Sequence, residues 1–439
     1  MIVKIRIIII FTFSCLGLLC SYSQNVIPTR DYYVEIENEA VHHYLRDVVY
    51  EPHDNSLIDD YRKGLLYRGD WPNPVIMDIP QSTYNSLYRV CCDDETLKDS
   101  LIFHISATNK KVELYNFIPN RIYRYQIKNG DDVLQQGKIY ASGKLRQIKV
   151  CSTVLNVRDL GGWKTADNMQ IRYGKIFRGT DLNGTYIATE EGIDILRGLG
   201  ISAELDLRAD YNKAHGVSAF GFSSDSSDGT IPTFYYSSDS GQLPSHMTDS
   251  TFLSKWQLEF QFIVNNMRQG RTIYEHCVHG KDRTGFLSFL LEGLLGVSYS
   301  DLVKDYELTF FCNRAKSTKD SIDKVFDYIE IMDGVTLRDK FNAFFVNKIK
   351  AKQEDIDFFR SEMLEPFSSL NIIIPLIEKG NANDDEEVDE KDIVDIVNYM
   401  MGKQTSTGKF DENEADINGD NMINIADIIK IVKKIKQMR

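Results

Sequence analysis

The sequence predicts a multidomain chain of three units: a β-sandwich, an α/β domain and a small α-helical module. Three observations lead there. The chain has 439 residues, more than one ordinary domain holds. Short alternating strands separated by turns give way, from about residue 150, to strands spaced by helices. Residues 379–439 then carry two acidic loops, each followed by an apolar helix. The expected units are 24–149, 150–378 and 379–439.

Hydrophobic residues at 42% and aromatics at 11% suffice for packed cores. A formal net charge of −13 argues against non-specific nucleic-acid binding. Residues 1–23 read as a signal peptide. Lys4 and Arg6 form a basic start, Ile7 to Leu19 is apolar, and Ser21-Tyr22-Ser23 offers small residues before a cleavage ahead of Gln24. This run is short for a membrane span, and no other stretch is long enough to cross a bilayer. A lipid anchor on Cys20 or Cys15 fits less well than simple export to the periplasm, cell surface or medium, because Leu18-Leu19 is a poor match before Cys20. Cleavage would leave Cys91, Cys92, Cys151, Cys277 and Cys312, an odd set with two neighbours adjacent, which is no disulfide framework.

Taken in order, Tyr32 to Ile36 suits a strand, with His42 and His43 close behind it. The histidine pair lacks a cysteine or carboxylate at ligand spacing, so it reads as a partly exposed pair on an element edge rather than a metal site. Asp70-Trp71-Pro72 reads as a turn leading into a strand. Leu101–Ile105 is a further strand. Arg121–Ile127 alternates, with Tyr123, Tyr125 and Ile127 on one face, and Asn129-Gly130 follows as a hairpin signal. Phe117-x-Pro119-x-x-x-Tyr123 resembles the proline-to-tyrosine corner of a fibronectin type III domain over about residues 65–148.

In the next unit Thr189 opens a helix that runs to Arg197, stopped by Gly198 and Gly200. Ile201–Leu207 is a strand, which puts Asp206-Leu207-Arg208 at the carboxyl end where ligands gather in open α/β sheets. Ser218–Gly241, rich in Ser, Asp and Gly, reads as a long loop, either a lid or an insertion.

The chemistry is concentrated at Tyr274–Gly285. Arg271–Glu275 is a buried strand and Phe286–Leu291 an apolar helix. Between them Cys277 and Arg283 enclose five residues. A loop of this kind between strand and helix makes a phosphate cradle of inward N–H groups and a helix N-terminus. Arg283 can grip two phosphate oxygens with its planar fork. The same positive field favours Cys277 as the attacking thiolate. Gly280 permits close backbone approach, Lys281 adds positive charge, Thr284 offers a hydroxyl that eases release of the thiol, and His276 orients the loop.

His-Cys-x-x-Gly-Lys-Asp-Arg-Thr-Gly at His276–Gly285 resembles the signature of the bacterial tyrosine/serine protein phosphatase family. Asn156-Val157-Arg158-Asp159-Leu160-Gly161-Gly162, Phe177–Thr180, Ile201–Arg208 and Asp305–Thr309 resemble further segments of it, over roughly residues 150–378. The resemblance implies hydrolysis of phosphotyrosine, in some members also of phosphoserine, phosphothreonine or phosphoinositides, without a metal. It implies Cys277 as nucleophile, Arg283 as clamp, and Val278, His279, Gly280 and Lys281 around the phosphate, with Asp159 and Arg208 beside them. For the proton donor it points to Asp282, with Asp159 second. Asp159 equally suits a structural partner for Arg158 or Arg208, and Arg208 a buttress or a surface ion pair. Activity on inositol phosphates, or a non-catalytic phosphate-sensing scaffold, are the alternatives.

Near the C-terminus Asp416, Asn418, Asp420, Met422, Asn424 and Asp427 supply positions 1, 3, 5, 7, 9 and 12 of a calcium loop, Met422 through its carbonyl. A weaker copy runs from Asn381 to Asp392, about 35 residues earlier. Two such loop–helix repeats resemble a type I dockerin, which implies structural Ca²⁺ and docking to a cohesin-like protein, or packing on the β unit. The usual glycine at position 6 is replaced by Asn421 and Glu386.

Overall fold

The computed structural model describes residues 27–46, 58, 61, 69–80, 88–93, 101–105, 110–312, 320–367, 380–383, 385, 388–405, 410–417 and 422–438. The expected signal peptide, and Asn418 and Asp420 of the second acidic loop, lie outside the described residues.

The first seven strands are β1 (Tyr32–Glu35), β2 (Val75–Asp78), β3 (Tyr88–Asp93), β4 (Leu101–Ile105), β5 (Lys111–Leu114), β6 (Arg121–Asn129) and β7 (Asp132–Ser142). They form a five-stranded sheet in the order β1-β7-β6-β3-β4 and a two-stranded sheet of β2 and β5. Strand β1 runs parallel to β7, and the β6–β7 hairpin forms where the sequence signals it, turning through Gly130-Asp131 after the Asn129–Asp132 pair. The alternation in β6 sends Tyr123, Tyr125 and Ile127 inward, where they meet Val75, Met77 and Leu114 of the smaller sheet in one core. Tyr123 closes the corner that precedes its strand: its hydroxyl accepts the Ile118 N–H at 2.8 Å, beside Pro119.

The second region is a five-stranded sheet ordered β12-β11-β13-β10-β8, parallel except for β8. Its strands are β8 (Arg158–Asp159), β10 (Ile176–Gly179), β11 (Ile201–Asp206), β12 (Phe234–Tyr236) and β13 (Thr272–His276); β9 (Met169–Ile171) pairs separately with β14 (Leu364–Pro366). Strand β13 is central, flanked by β11 and β10, and its residues are buried from Ile273 on. Helix α1 (Glu39–Arg46) comes first in the chain. Then come α2 (Glu190–Gly198), α3 (Ser250–Arg268), α4 (Asp282–Leu295), α5 (Tyr299–Glu307), α6 (Asp320–Glu330), α7 (Leu337–Phe344) and α8 (Gln353–Met363). Thr189 caps α2 by accepting the Gly192 N–H, as the Thr-Glu-Glu start predicts. Helix α4 is buried on every side from Arg283 to Leu295, so its apolar face has no polar opposite and it forms the centre of the core.

Three expectations need correction. The segment 218–241 is not all loop: it carries β12, the edge strand parallel to β11. Helix α4 starts at Asp282, two residues before the Thr284-Gly285 pair that the sequence suggests as its opening, so the end of the Cys-x5-Arg segment is already helical. Helix α1, assigned by sequence to the β unit, instead sends Val41, Tyr44 and Leu45 into the core built around α4. The Tyr44 hydroxyl bonds the Glu307 carboxylate, and Lys304 Nζ donates to the Leu45 carbonyl at 3.0 Å.

At the C-terminus α9 (Glu390–Met400), α10 (Glu412–Ala415) and α11 (Ile425–Met438) pack through Ile396, Ala415, Ile431 and Ile435. The two loops share one geometry. The position-9 N–H (Asp389 or Asn424) donates to the position-12 carboxylate (Asp392 or Asp427) at 2.8 and 3.0 Å, and the position-9 side chain caps the next helix. Among the described residues, no helix is long and apolar enough to cross a membrane.

Replacing Tyr123 by Phe removes the acceptor for the buried-edge Ile118 N–H and should cost the β region about 1 kcal/mol. A urea midpoint unchanged from wild type would show that this corner bond does not stabilise the fold.

Candidate active site

The 277–283 segment lies at the carboxyl end of central strand β13, the position in an open parallel sheet where ligands bind. Its shape follows from where its carbonyls go. The Val278 carbonyl accepts the Asp181 N–H at 3.1 Å. The His279 and Gly280 carbonyls accept from Asn156 Nδ2 at 3.3 and 3.0 Å, and Gly280 also from Arg178 Nη2 at 3.0 Å. In a trans peptide the C=O and the following N–H point opposite ways. Three carbonyls drawn outward therefore turn the N–H groups of His279, Gly280 and Lys281 toward the hollow of the loop, an arrangement that binds anions. Gly280 makes this possible: its φ is +61°, and a Cβ there would sit 2.3 Å from the Gly179 carbonyl oxygen.

Behind the loop stands a buried ionic layer. Asp305 takes Arg158 through both carboxylate oxygens, at 3.0 and 3.1 Å, and also Arg178. Arg158 in turn donates to Asn156 Oδ1 at 2.6 Å, while the Asn156 N–H meets Asp70 Oδ2 at 2.7 Å. Asn156 adopts a left-handed conformation, φ +58°, to reach all of these. Asp70, in its turn before β2, thus acts as an anchor for Asn156. Close by, Glu275 and Glu292 are fully buried carboxyls. Burial pushes Glu275 up to about 7, and it pushes Glu292 well above its ordinary value, with neither Glu292 oxygen hydrogen-bonded.

Cys277 is a buried free cysteine, 3% exposed, at the loop's start. His276 is fully buried. Its Nδ1 faces the Cys277 carbonyl at 3.3 Å and its Nε2 lies 3.0 Å from Glu204 Oε1. Burial lowers the imidazole's pKa, but the Glu204 hydrogen bond and the nearby Asp206 outweigh it and raise the net value. The shift favours the charged form of an imidazole that touches the loop. Arg283 is 7% exposed and uses one nitrogen, Nη1, for Leu207 O at 3.3 Å and for Asn212 Oδ1 and Asp239 Oδ1 at 3.2 Å each. Its Nε is buried without a partner among the described residues, and so is the Thr284 hydroxyl beside it in sequence. Unmet polar atoms of this kind are costly unless a ligand satisfies them.

The other expected residues fall into two groups. His279 lies on the loop with Nδ1 3.0 Å from the Tyr186 hydroxyl, and burial lowers its pKa. Asp282 opens α4 half-exposed, 3.7 Å from Lys281 Nζ, at the rim of the loop. Arg208 and Asp159 are not open to a substrate. Arg208 is fully buried and spends its guanidinium on Asp206 (2.8 Å twice), Asp181, Asn183 and the Lys213 and Ala214 carbonyls. Asp159, 1% exposed, accepts the Gly161 and Gly174 N–H groups and faces Arg146, so its ionic partner is neither Arg158 nor Arg208. Burial lifts its pKa to about 6, but none of these partners belongs to the loop.

Sequence reasoning missed Asn212 and Asp239 altogether, since single polar residues in a Ser/Gly-rich stretch carry no motif. It quoted Asn156, Arg158, Arg178 and Asp305 in motifs without giving them roles. It also found no carboxylate near His42, whereas Glu35 and Glu37 lie 3.3 and 3.4 Å from its Nδ1. Arg46 Nη1 meets Glu37 at 2.9 Å, so this cluster already contains its own cation. The described oxygen donors of the C-terminal loops, Asn381, Asn383, Asp385 and Asp392 in one and Asp416, Asn424 and Asp427 in the other, are the hard ligands that suit Ca²⁺.

Residues 149–365 match the family model described as the tyrosine phosphatase family. The chain is also 28% identical over 187 residues to a protein of Cupriavidus necator named "Putative tyrosine-protein phosphatase", covering 40% of this chain and 67% of that protein. The family match contains the loop and the Asn156, Arg158, Arg178 and Asp305 side chains behind it.

Gly280→Ala should leave the protein folded yet lower catalytic activity by about 100-fold or more, because the loop must shift to admit the methyl group. Wild-type turnover in that variant would refute the cradle geometry. A second expectation concerns pH. The raised Glu275 carboxyl contributes its full stability below the unfolded value near 4.5 and loses it as pH rises through about 7. Glu275→Gln should therefore gain stability relative to wild type between pH 5 and 8, by ~3 kcal/mol at most. A difference that stays flat with pH in urea titrations would contradict it.

Proposed function

We infer that this protein, a phosphatase-type hydrolase by its tyrosine phosphatase family domain over residues 149–365, cleaves phosphomonoesters by attack of Cys277 on phosphorus. The single observation that carries this reading is the loop whose outward carbonyls turn three N–H groups inward, between a buried thiol and a buried guanidinium with an unmet Nε. In the proposed sequence the Cys277 thiolate forms an S–P bond as the ester P–O bond breaks. The loop N–H groups and Arg283 hold the equatorial oxygens. Asp282, at the rim, gives its proton to the leaving oxygen. Water then attacks the phosphocysteine, giving a proton back to the Asp282 carboxylate as the S–P bond breaks, and the Cys277 thiolate leaves with the Thr284 hydroxyl to stabilise it. Phosphotyrosine is the substrate class that the family resemblance favours.

The rest of the reading concerns the flanking units. The two sheets over one core, with the Tyr123 corner, support a fibronectin-like sandwich. The duplicated position-9 to position-12 geometry supports a dockerin-like module that takes Ca²⁺ and docks a cohesin-like partner. The basic-then-apolar start supports export by a signal peptide.

The deciding assay is hydrolysis of p-nitrophenyl phosphate under reducing conditions, with and without EDTA, beside Cys277→Ser. The expected outcome is activity that resists EDTA and falls by about 10⁴-fold or more in the variant. Activity that survives in Cys277→Ser, or that EDTA abolishes, would remove the thiol mechanism. Phosphate binding without turnover in wild type would identify a sensing protein instead.

A further inference from the structure

Arg283 is the guanidinium that would clamp the transition-state oxygens, yet its position is set by residues outside the Cys-x5-Arg motif. Its Nη1 meets three acceptors: the Leu207 carbonyl, Asn212 Oδ1 and Asp239 Oδ1. Its Nε, buried, has none among the described residues. A guanidinium is planar and rigid, so fixing one terminal nitrogen fixes the directions in which the remaining N–H groups can donate.

The segment that delivers Asp239 is strained and tied down. Ser238 and Asp239 both take left-handed conformations, φ +55° and +74°, which ordinary residues adopt only when their surroundings enforce it. The enforcing contacts are at hand. Lys255 Nζ, from α3, donates to the Ser238 and Asp239 carbonyls at 2.5 and 2.8 Å. The Asp239 N–H donates to the Arg208 carbonyl at 2.8 Å, directly after strand β11. Asp210 accepts from the Ser238 hydroxyl at 3.1 Å and from the Tyr236 hydroxyl, joining the opposite arm of the loop. Asn212, on that arm, holds itself by accepting the Ala209 N–H at 2.9 Å. The strain is therefore concentrated in the two residues that bring one carboxylate onto Arg283.

We propose that Asp239, with Asn212 beside it, is a positioning residue that locks the Arg283 guanidinium so that Nε and the free edge face the loop, where they clamp the phosphate oxygens in the transition state. This rests on the phosphomonoesterase reading above. Asp239 touches no reacting atom; it acts through Arg283. The stretch that looked from sequence like a lid or an insertion is, on this view, the outer half of the anion clamp.

The test compares wild type, Asp239→Ala, Asp239→Asn and Asn212→Ala as full-length proteins, by kcat and KM with p-nitrophenyl phosphate and by inhibition with orthovanadate and with inorganic phosphate. Vanadate takes up the five-coordinate geometry of the transition state, while phosphate reports ground-state anion binding. Asp239→Ala should lose on the order of 10-fold to 100-fold in kcat and as much in vanadate affinity, with phosphate affinity and melting temperature little changed. Asp239→Asn keeps an acceptor oxygen and should fall between Ala and wild type. A general loss of packing would weaken phosphate and vanadate alike and show no rescue by Asn, which would overturn the proposal. So would a kcat in Asp239→Ala equal to or above wild type, the latter showing that the carboxylate competes with the anion. Should Asp239→Ala fail to fold, Asn212→Ala carries the same prediction, and unchanged vanadate affinity there is equally fatal. Absence of Cys277-dependent turnover in wild type would reject the enzyme reading itself, an outcome separate from all of these.

Discussion

The Asp305 carboxylate, gripping Arg158 and Arg178 together in a fully buried layer, is the interaction on which the site depends. Two guanidinium groups side by side repel, and burying them without a counter-charge would cost several kcal/mol each. With Asp305 between them they become fixed donors. One holds the Gly280 carbonyl directly; the other holds Asn156, which holds the His279 and Gly280 carbonyls. The inward-facing amides are the far end of that chain of contacts. Anion affinity in the loop is thus prepared by charges that never meet the anion.

The same principle recurs on the other side of β13. Arg208 is fully saturated by Asp206, Asp181, Asn183 and two carbonyls, and Glu204 pairs with His276. These groups surround the loop with a second buried network rather than with open binding positions. Preorganisation of this kind removes the reorganisation that a flexible site would need at the moment of reaction. It also explains why so many charged residues near the carboxyl ends of β10 and β11 are buried at all: each is paired, and each pair orients something closer to the thiol.

Much of this was legible in the sequence, but unevenly. Cys277, Gly280 and Arg283 could be read because their spacing comes with His276, Thr284 and Gly285 between a buried strand and an apolar helix, and a Gly at that point has a stereochemical reason. Tyr123 was readable because its corner ties together residues five apart. Arg208 and Asp159 were placed too near the phosphate, since a motif shows that a charge is required without showing which way it points. Asp239 and Asn212 left no trace, because their role arises from two arms of a loop meeting across 27 positions of chain, which no local pattern encodes. Helix α1 was misassigned for a related reason. Its apolar face declares that it packs, but nothing in eight residues says against which unit.

That helix changes what counts as a portable piece of this protein. Val41, Tyr44 and Leu45 belong to the hydrophobic core around α4, while β1, just before them, is a strand of the β sheet through its pairing with β7. Among the described residues the path therefore runs from β1 in one unit to α1 on the other, returns for β2 to β7, and only then enters the second sheet. A fragment beginning at residue 149 would leave an apolar footprint bare on the catalytic side, and one ending there would carry a helix with no partner for its buried face. Recombination at that boundary, whether in evolution or at the bench, would inherit two incomplete halves; the two units have reason to travel together.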